Sequence, residues 1–331
     1  MTPRRLTRAS VAIGVAAALA LTACTATDAA EESSEAEAVD RVEPIAEDPD
    51  QALPAVVTDA NGTEITVEST DSIVPLSGSL SEIVFSLGLG QNVVARDITA
   101  TFEQAADLPV VSHGHDISAE GVLSLQPDLV LAETSSGPQT ALDQIAAAGV
   151  PILVFEPADG IPSVSTRIAA VAAALGVDEL GQELVERTEA DIEAALDGVD
   201  ADQAPRVAFL YLRGSASVYM IGGRDSGATS LIEAAGGLDA GAEALDGDFI
   251  ELTPEALAAA SPDVILVMDK GLESVGGLEG LLELPGVAQT PAGQDERIAH
   301  LPDGIMLNYG PRTGDVVADL ASQLHPSGDD E

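Results

Sequence analysis

The stretch EGVLSLQPDLVL (120–131) decides the fold, because the chain repeats its pattern as EALAAASPDVIL (255–266). Each copy predicts a short amphipathic helix, a Pro-Asp stop and an apolar, buried strand. One such unit in each half of the chain predicts two similar lobes. Since ligand sites favour the crevice between two domains, the cleft between such lobes is where we expect the functional site.

Strand and helix signals alternate on both sides of these units, which is typical of an α/β fold with a mainly parallel sheet. We expect a first lobe over 55–160, which opens with a hairpin at Asn61-Gly62, and a second lobe over 199–325. The apolar spacing within 161–198 predicts a rigid helical connector between the lobes, although an ordinary crossover helix fits the same spacing. A short polar tail over 326–331 ends the chain.

The N-terminal part of the chain carries the features of a lipoprotein. Residues 1–23 combine an Arg-rich start with an apolar core of signal-peptide length. The sequence LTAC (21–24) resembles the bacterial lipobox, which would make Cys24 the lipidated first residue of the mature protein. A chance Cys behind a cleaved secretory signal is the alternative. The acidic segment over 24–54 is expected to be a disordered tether.

Composition excludes several classes of protein. The chain has 56 acidic residues against 13 basic ones and a formal net charge of -43, which argues against binding to nucleic-acid phosphates. An acidic surface of this kind keeps an extracellular protein soluble. Cys24 is the one Cys of the chain, so an intramolecular disulfide is excluded. Neither a nucleophile elbow nor a paired-His zinc helix is present in the sequence, which disfavours a hydrolase.

The first candidate ligand loop is His113-Gly114-His115-Asp116, which lies between a predicted strand and a helix with Ser118 as its N-cap. In an α/β lobe such a loop lies at the carboxyl end of a strand, where ligands bind. A solvated loop His is the alternative interpretation.

The second candidate loop contains Tyr211 and Arg213. In an extended segment these two residues share one face, and a guanidinium beside a phenol favours the phenolate. A phenolate oxygen suits ferric iron, and Tyr is a known axial ligand of haem. A half-buried Tyr beside a surface Arg is the alternative.

Two further loops carry cations close to predicted helix starts. In GGRDS (222–226), backbone donors and Arg224 could receive a carboxylate. In NYGPRT (308–313), Tyr309 and Arg312 precede a helix.

The motifs over 114–123, 211–214, 222–225 and 309–313 together resemble the haem-binding lipoproteins of bacterial haem ABC importers. The resemblance covers most of 73–324. These proteins belong to the helical-backbone class of substrate-binding proteins, which also serves siderophores, cobalamin and some metals. The resemblance implies two Rossmann-like α/β lobes joined by a long helix, with haem held in the cleft.

The resemblance also implies roles for individual residues. A His from the first lobe and a Tyr from the second would hold the iron, which points to Tyr211 with Arg213 as its support. His115 is the closer match for the His, and His113 is the alternative because it stands where other branches carry a Tyr ligand. The residues implied as contacts to the cleft or to the haem propionates are Arg224, Tyr309 and Arg312. Those implied as permease-docking acids are Glu82 and Glu233, for which ordinary surface Glu is the alternative.

The function that this resemblance implies is binding, not catalysis. We expect an extracytoplasmic, monomeric lipoprotein, anchored to the outer face of the cell membrane through Cys24. It would capture hemin and deliver it to an ABC permease and its ATPase for iron uptake. The same fold could instead bind a ferric siderophore or cobalamin. A zinc or manganese binder and a cell-surface hydrolase are weaker alternatives.

Overall fold

The structure, a computed structural model, describes residues 40–114, 116–199 and 204–326. The expected signal peptide over 1–23, Cys24 and His115 lie outside the described residues. Within the described ranges, no helix is both long enough and apolar enough to cross a membrane.

An antiparallel hairpin opens the first lobe, as the Asn61-Gly62 signal predicts. Strand β1 (Ala55–Thr58) pairs with β2 (Glu64–Val67). The Asp59 carboxylate closes the turn by accepting hydrogen bonds from the amides of Asn61 and Thr63 at 3.0 and 2.8 Å.

The first lobe is built on parallel strands. These are β3 (Ile73–Pro75), β4 (Arg96–Asp97), β5 (Val110–Ser112), β6 (Leu129–Glu133) and β7 (Ile152–Phe155). Strands β3, β6 and β7 are neighbours in that order, β4 pairs with β5, and Val93 bridges to Ile73. The helices are α1 (Gly78–Ser86), α2 (Ala119–Ser124) and α3 (Gln139–Ala147). Because the strands are parallel, their carboxyl ends share one edge, where ligands bind in α/β folds.

Two helices occupy the predicted connector. They are α4 (Val164–Ala174) and the 20-residue α5 (Asp178–Asp197). Gly181 of α5 approaches α4 so closely that a Cβ there would lie 2.3 Å from Ala172. At its other end, α5 packs against the last helix of the second lobe. Helix α4 in turn packs against α1 and β1 of the first lobe, so the pair α4–α5 contacts both lobes. That this pair acts as a rigid connector stays a prediction.

The second lobe contains a mixed sheet. Its strands are β8 (Arg206–Arg213), β9 (Val218–Gly222), β10 (Leu238–Asp239), β11 (Phe249–Glu251), β12 (Val264–Met268) and β13 (Ile298–Leu301). The order is β11-β9-β8-β12-β13, with β10 beside the start of β8. Strands β12 and β13 run parallel to β8, while β9 runs antiparallel to it, because the short turn at 214–217 returns the chain directly.

Seven helices complete the part of the second lobe that the structure describes. They are α6 (Thr229–Ala234), α7 (Ala240–Ala244), α8 (Pro254–Ala260), α9 (Asp269–Val275), α10 (Gly277–Leu282), α11 (Pro291–Gln294) and α12 (Thr313–Leu324). The α/β class predicted from the sequence is confirmed.

The two repeat units occupy equivalent places in the two lobes. In the first lobe, the Asp128 amide donates to the carbonyl of Ser72, just before β3, at 2.8 Å. In the second lobe, the Asp263 amide donates to the carbonyl of Arg206, at the start of β8, at 2.7 Å. Each Pro-Asp stop therefore begins a strand that pairs with the first core strand of its own lobe.

The segment 40–54 is packed against the fold, which corrects the expectation of a disordered tether for this part of 24–54, while residues 24–39 lie outside the described residues. Val42 is 1% exposed, and the amide of Ile45 donates to the carbonyl of Ser86 at 2.8 Å. The acidic composition concealed these apolar anchors, which pack into the hydrophobic core even though the residues around them are charged.

Candidate functional site

Tyr211 and Arg213 lie side by side at the carboxyl end of β8. Both are partly exposed, whereas Leu212 between them points to the other face and is buried. The guanidinium carbon of Arg213 lies 4.5 Å from the centroid of the Tyr211 ring, which is a cation–π distance. The prediction that the two residues share a face is confirmed. Together they place a phenol oxygen and a positive charge at an edge of the sheet where α/β proteins bind ligands.

An aromatic cluster backs the Tyr211 ring. Phe249 of β11 lies 5.8 Å from it, centroid to centroid, and Phe209 of β8 lies 5.7 Å from Phe249. Sequence reasoning missed Phe249, since the pairing of β11 with β9 that brings it here has no local signal. The cluster supports one side of the Tyr ring with apolar surface.

A second residue that the sequence did not single out, Asp303, binds Arg213. The Nη2 atom of Arg213 lies 3.2 Å from Oδ1 of Asp303, and the Lys270 amide donates to Oδ2 at 2.8 Å. The Asp303 side chain is 13% exposed. The one available signal was its place just after β13, at the same edge of the sheet as Tyr211.

The 113–116 loop follows β5 in the first lobe. His113 is exposed, and its amide donates to the carbonyl of Asp116 at 3.1 Å. Gly114 has a φ of +69°, a conformation that favours Gly, and its amide donates to Oδ2 of the fully buried Asp97 at 2.9 Å. The predicted helix start is confirmed, because the Ser118 hydroxyl accepts from the Gly121 amide. His115 lies outside the described residues.

The loops beside the two candidate sites touch each other across the lobes. In the first lobe, Asp97 also accepts a hydrogen bond from the Thr99 amide at 2.8 Å. In the second lobe, Gly304 follows Asp303, and a Cβ at Gly304 would lie 1.9 Å from Oγ1 of Thr101 and 2.8 Å from the carbonyl oxygen of Thr99. A continuous set of contacts thus leads from the 113–114 loop, through these two turns, to Arg213 and Tyr211.

Arg312 and Glu82 do not have the surroundings that the resemblance implied. The Arg312 guanidinium binds the carboxylates of Glu82 and Asp40, and the Glu82 side chain is 1% exposed. Burial alone would lower the pKa of Arg312, but the two carboxylates outweigh it and raise the pKa above its ordinary value. Glu82 therefore does not present its carboxylate to a permease in this structure. The positive charge of Arg312 is already balanced by carboxylates within the protein.

Tyr309 is part of the core and not of an open cleft. It is 3% exposed, and its hydroxyl donates to the carbonyl of Gly227. Burial raises the pKa of Tyr309, and the nearby Asp159 and Asp239 raise it further. The implied role as a ligand contact is corrected to a structural one.

Arg224 and Glu233 are both exposed. Since β9 runs antiparallel to β8, the 222–226 turn follows the end of β9 that lies away from Arg213. The Arg224 guanidinium lies 3.5 Å from Asp246 in a surface pair. The structure thus does not bring Arg224 beside Tyr211, whereas the exposed Glu233 keeps the accessibility that a docking residue needs.

A cavity of about 460 Å³ lies in the first lobe, away from Tyr211. Residues of β1, β7 and α4 line it, including Leu153, Phe155 and Arg167. All of its lining residues belong to the first lobe or to the connector that contains α4, so it is not the inter-lobe site. Within the described ranges, no three His, Cys, Asp or Glu side chains are grouped as a metal site would require.

The chain belongs to the periplasmic binding protein family, whose model matches residues 73–304. Family members and structural neighbours are substrate-binding proteins, which confirms the prediction that the chain is not an enzyme.

Solved structures of haem-binding proteins share the fold. The crystal structure of the haem-binding protein HmuT matches with a TM-score of 0.84 and 38% identity, over 88% of this chain and 96% of that one. Structures of HmuT with Ala in place of one His, one Tyr or one Arg match similarly. The apo form of the periplasmic haem-binding protein RhuT from Roseiflexus sp. RS-1 matches with a TM-score of 0.74 and 44% identity, over 77% of this chain and 98% of that one.

Two curated relatives are more distant in sequence. An uncharacterized ABC transporter substrate-binding lipoprotein, YvrC of Bacillus subtilis (strain 168), is 24% identical over 282 residues, which is 83% of this chain and 87% of the relative. The vitamin B12-binding protein of Vibrio campbellii (strain ATCC BAA-1116) is 27% identical over 175 residues, which is 53% of this chain and 62% of the relative.

Proposed function

We propose that this protein binds haem outside the cytoplasm and delivers it to an ABC permease for iron uptake. The observation that carries the proposal is the pairing of Tyr211 with Arg213 at the carboxyl end of β8. A phenolate is an established haem ligand, and the Arg213 guanidinium places a positive charge beside the Tyr211 ring. The haem is cargo here and not a catalytic cofactor.

The second iron ligand is proposed to be a His of the first lobe. His115 is our choice from the sequence, with His113 as the alternative. The exposure of His113 and the anchoring of the loop by Asp97 support a ligand from this loop. With one ligand from each lobe, haem binding would be tied to closure of the lobes.

The structural neighbours support the choice of ligand. HmuT and RhuT are both described as haem-binding proteins, at 38% and 44% identity. In HmuT the replaced Tyr and Arg stand two positions apart, which is the spacing of Tyr211 and Arg213. The Phe249 ring beside Tyr211 adds an apolar surface of the kind that a porphyrin can pack against.

Cobalamin is the second candidate ligand, since curated relatives include vitamin B12-binding proteins. That likeness covers 62% of the Vibrio relative, and cobalamin recognition gives no reason for an Arg stacked on a Tyr. A ferric siderophore remains an outcome of the binding test.

Membrane attachment and docking complete the proposal. We propose that Cys24 carries the lipid anchor, consistent with the lipoprotein description of YvrC, and that Glu233 is one of the permease contacts. Cys24→Ala is expected to abolish incorporation of a labelled fatty acid into the protein, as measured by metabolic labelling of expressing cells. Equal incorporation into the wild type and that variant would contradict the anchor.

The proposed function is tested by titrating the mature protein with hemin and following the Soret band. Tyr211→Phe is expected to shift the band and to weaken binding at least about tenfold, because it removes the phenolate oxygen. Tyr219→Phe is the matched control: Tyr219 lies on the neighbouring β9, opposite Leu212, and packs on the other face of the sheet.

Separate His113→Ala and His115→Ala variants identify the first-lobe ligand. Preferential binding of cobalamin or a ferric siderophore over hemin would overturn the proposal.

A further inference from the structure

The Arg213 guanidinium is held over Tyr211 by a carboxylate from a different part of the second lobe. We propose that Asp303 is a positioning residue for the Tyr211 ligand, because it fixes Arg213 above the phenol ring and links that arrangement to the contact between the lobes. This role rests on the proposed haem-binding function and adds to it a determinant of ligand strength.

Both oxygens of Asp303 are engaged, so the carboxylate has a defined orientation. Oδ1 faces Nη2 of Arg213 at 3.2 Å, and Oδ2 accepts the Lys270 amide at 2.8 Å. A carboxylate anchored by a backbone amide pays less entropy for its ion pair than one on a freely rotating side chain. The oriented carboxylate of Asp303 therefore fixes the position of the Arg213 guanidinium.

Among the residues that the structure describes, Arg213 has one other hydrogen-bond partner, the carbonyl of Leu212, to which Nη1 donates at 2.8 Å. The Arg213 side chain is 34% exposed, so without Asp303 the guanidinium could turn into solvent around that single bond. Its distance of 4.5 Å from the Tyr211 ring would then not be maintained. Asp303 consequently acts on the proposed iron ligand, Tyr211, through Arg213.

The place of Asp303 in the chain gives it a second connection. Gly304, the next residue, lies against Thr99 and Thr101 of the first lobe. The first-lobe turn that contains Thr99 is fixed by Asp97, which accepts a hydrogen bond from the Thr99 amide. Asp97 also accepts a hydrogen bond from the Gly114 amide at 2.9 Å. One carboxylate in each lobe thus orders a candidate ligand loop, and the two carboxylates lie on adjoining turns. A change in the distance between the lobes would therefore alter the positions of both ligand loops through the contact of Gly304 with Thr99 and Thr101.

The test compares Asp303→Asn with Arg213→Ala and the double variant by hemin titration and by the Soret and charge-transfer bands between pH 5 and 10. Asparagine keeps an acceptor for the Lys270 amide but lacks the charge. We expect Asp303→Asn to shift the bands and their pH dependence in the same direction as Arg213→Ala, and to weaken hemin binding about fivefold. The double variant should bind no more weakly than Arg213→Ala alone, because both changes remove one arrangement. Asp295→Asn, at an exposed site of the same lobe, is the matched control.

Additive losses in the double variant, or an unchanged spectrum in a folded Asp303→Asn protein, would overturn the role. Should the Asn variant fail to fold in thermal melts, Asp303→Glu keeps the charge while displacing the carboxylate by one methylene. The same direction of spectral shift then supports positioning, and wild-type spectra overturn it. The wild-type titration distinguishes failure of the proposed function from failure of this inference. A wild-type protein that does not bind hemin would overturn the proposed function. Normal hemin binding by the wild type, with no effect of the Asp303 substitutions, would overturn only the positioning role.

Discussion

Arg312 of the second lobe and Glu82 of the first lobe bind each other twice. The Arg312 amide donates to Oε1 of Glu82 at 2.9 Å, and its guanidinium donates to Oε2 at 3.1 Å. Asp40, from the segment that precedes the first lobe, also pairs with this guanidinium. Three separate parts of the chain therefore meet at one partly buried cation.

Replacing Arg312 with Met should destabilise the protein strongly. The Glu82 carboxylate is 1% exposed, and the Met replacement would keep the amide hydrogen bond but leave the buried charge without its cation. We expect the free energy of unfolding to fall by about 3–5 kcal/mol, as measured by urea denaturation. The control is Arg41→Met, whose pairs with Glu43 and Glu103 are exposed and should contribute less than about 1 kcal/mol. Equal losses in the two variants would show that the inter-lobe pair has no special role.

Replacing Gly304 with Ala should separate the two lobes at their ligand loops. The new Cβ would lie 1.9 Å from Oγ1 of Thr101 and 2.8 Å from the Thr99 carbonyl oxygen, and the backbone atom cannot rotate away. We expect hemin affinity to fall about tenfold, with a smaller effect on stability, because the contact lies between the lobes and not within a core. The measurement is a hemin titration beside a thermal melt. The control, Gly198→Ala, meets only ordinary contacts of 3.4 Å or more. Unaltered affinity in the Gly304 variant would mean that the lobes do not close on this turn.

The features predicted well from the sequence are those set by neighbours along the chain. The Pro-Asp stops before β6 and β12 follow from local turn chemistry, and both form the same backbone contact with the first strand of their lobe. The common face of Tyr211 and Arg213 follows from the two-residue period of a strand. The α/β class follows from the alternation of such signals.

The features predicted poorly depend on partners that are distant in sequence. Glu82 lies early in a helix, a pattern typical of surface acids, and its burial depends on Arg312, which is 230 positions away. Tyr309 resembled a cleft residue, but its hydroxyl binds Gly227 in the core. Asp303 belongs to no recognisable motif. Its role depends on the order of the strands, since β13, which precedes Asp303, lies two strands away from β8, which carries Arg213. In each case the surroundings of the residue are set by tertiary contacts, which local periodicity in the sequence does not encode.

Tyr309→Phe should cost stability without changing the proposed haem site. The hydroxyl donates to the Gly227 carbonyl at a buried position, so its loss leaves an acceptor without its partner. We expect a decrease of about 1–2 kcal/mol in the free energy of unfolding, measured by urea denaturation, and a hemin spectrum equal to that of the wild type. Tyr219→Phe again serves as the comparison. A spectral change in Tyr309→Phe would return this residue to the ligand site and contradict its structural role.

Asp315 should make stability depend on pH in the direction opposite to that of a salt-bridged carboxylate. Partial burial raises the pKa of Asp315, and Asp191 on α5 raises it further, against the opposing effects of Arg312 and Arg187. The net direction means that burial and Asp191 outweigh the two guanidinium groups.

Because the folded-state pKa is raised, the stability contributed by Asp315 is fully present below its ordinary pKa of about 4 and is lost as the pH rises through the folded-state value. Asp315→Asn should therefore be more stable than the wild type at pH 7, by no more than about 0.5 kcal/mol because solvent reaches the side chain. The difference should shrink towards pH 4 and below, where the wild-type carboxyl is protonated. Urea denaturation at the two pH values measures it, with Asp191→Asn as the companion variant that removes the like charge. A wild-type protein more stable than Asp315→Asn at pH 7 would show that the helix terminus, and not burial with Asp191, controls this carboxyl.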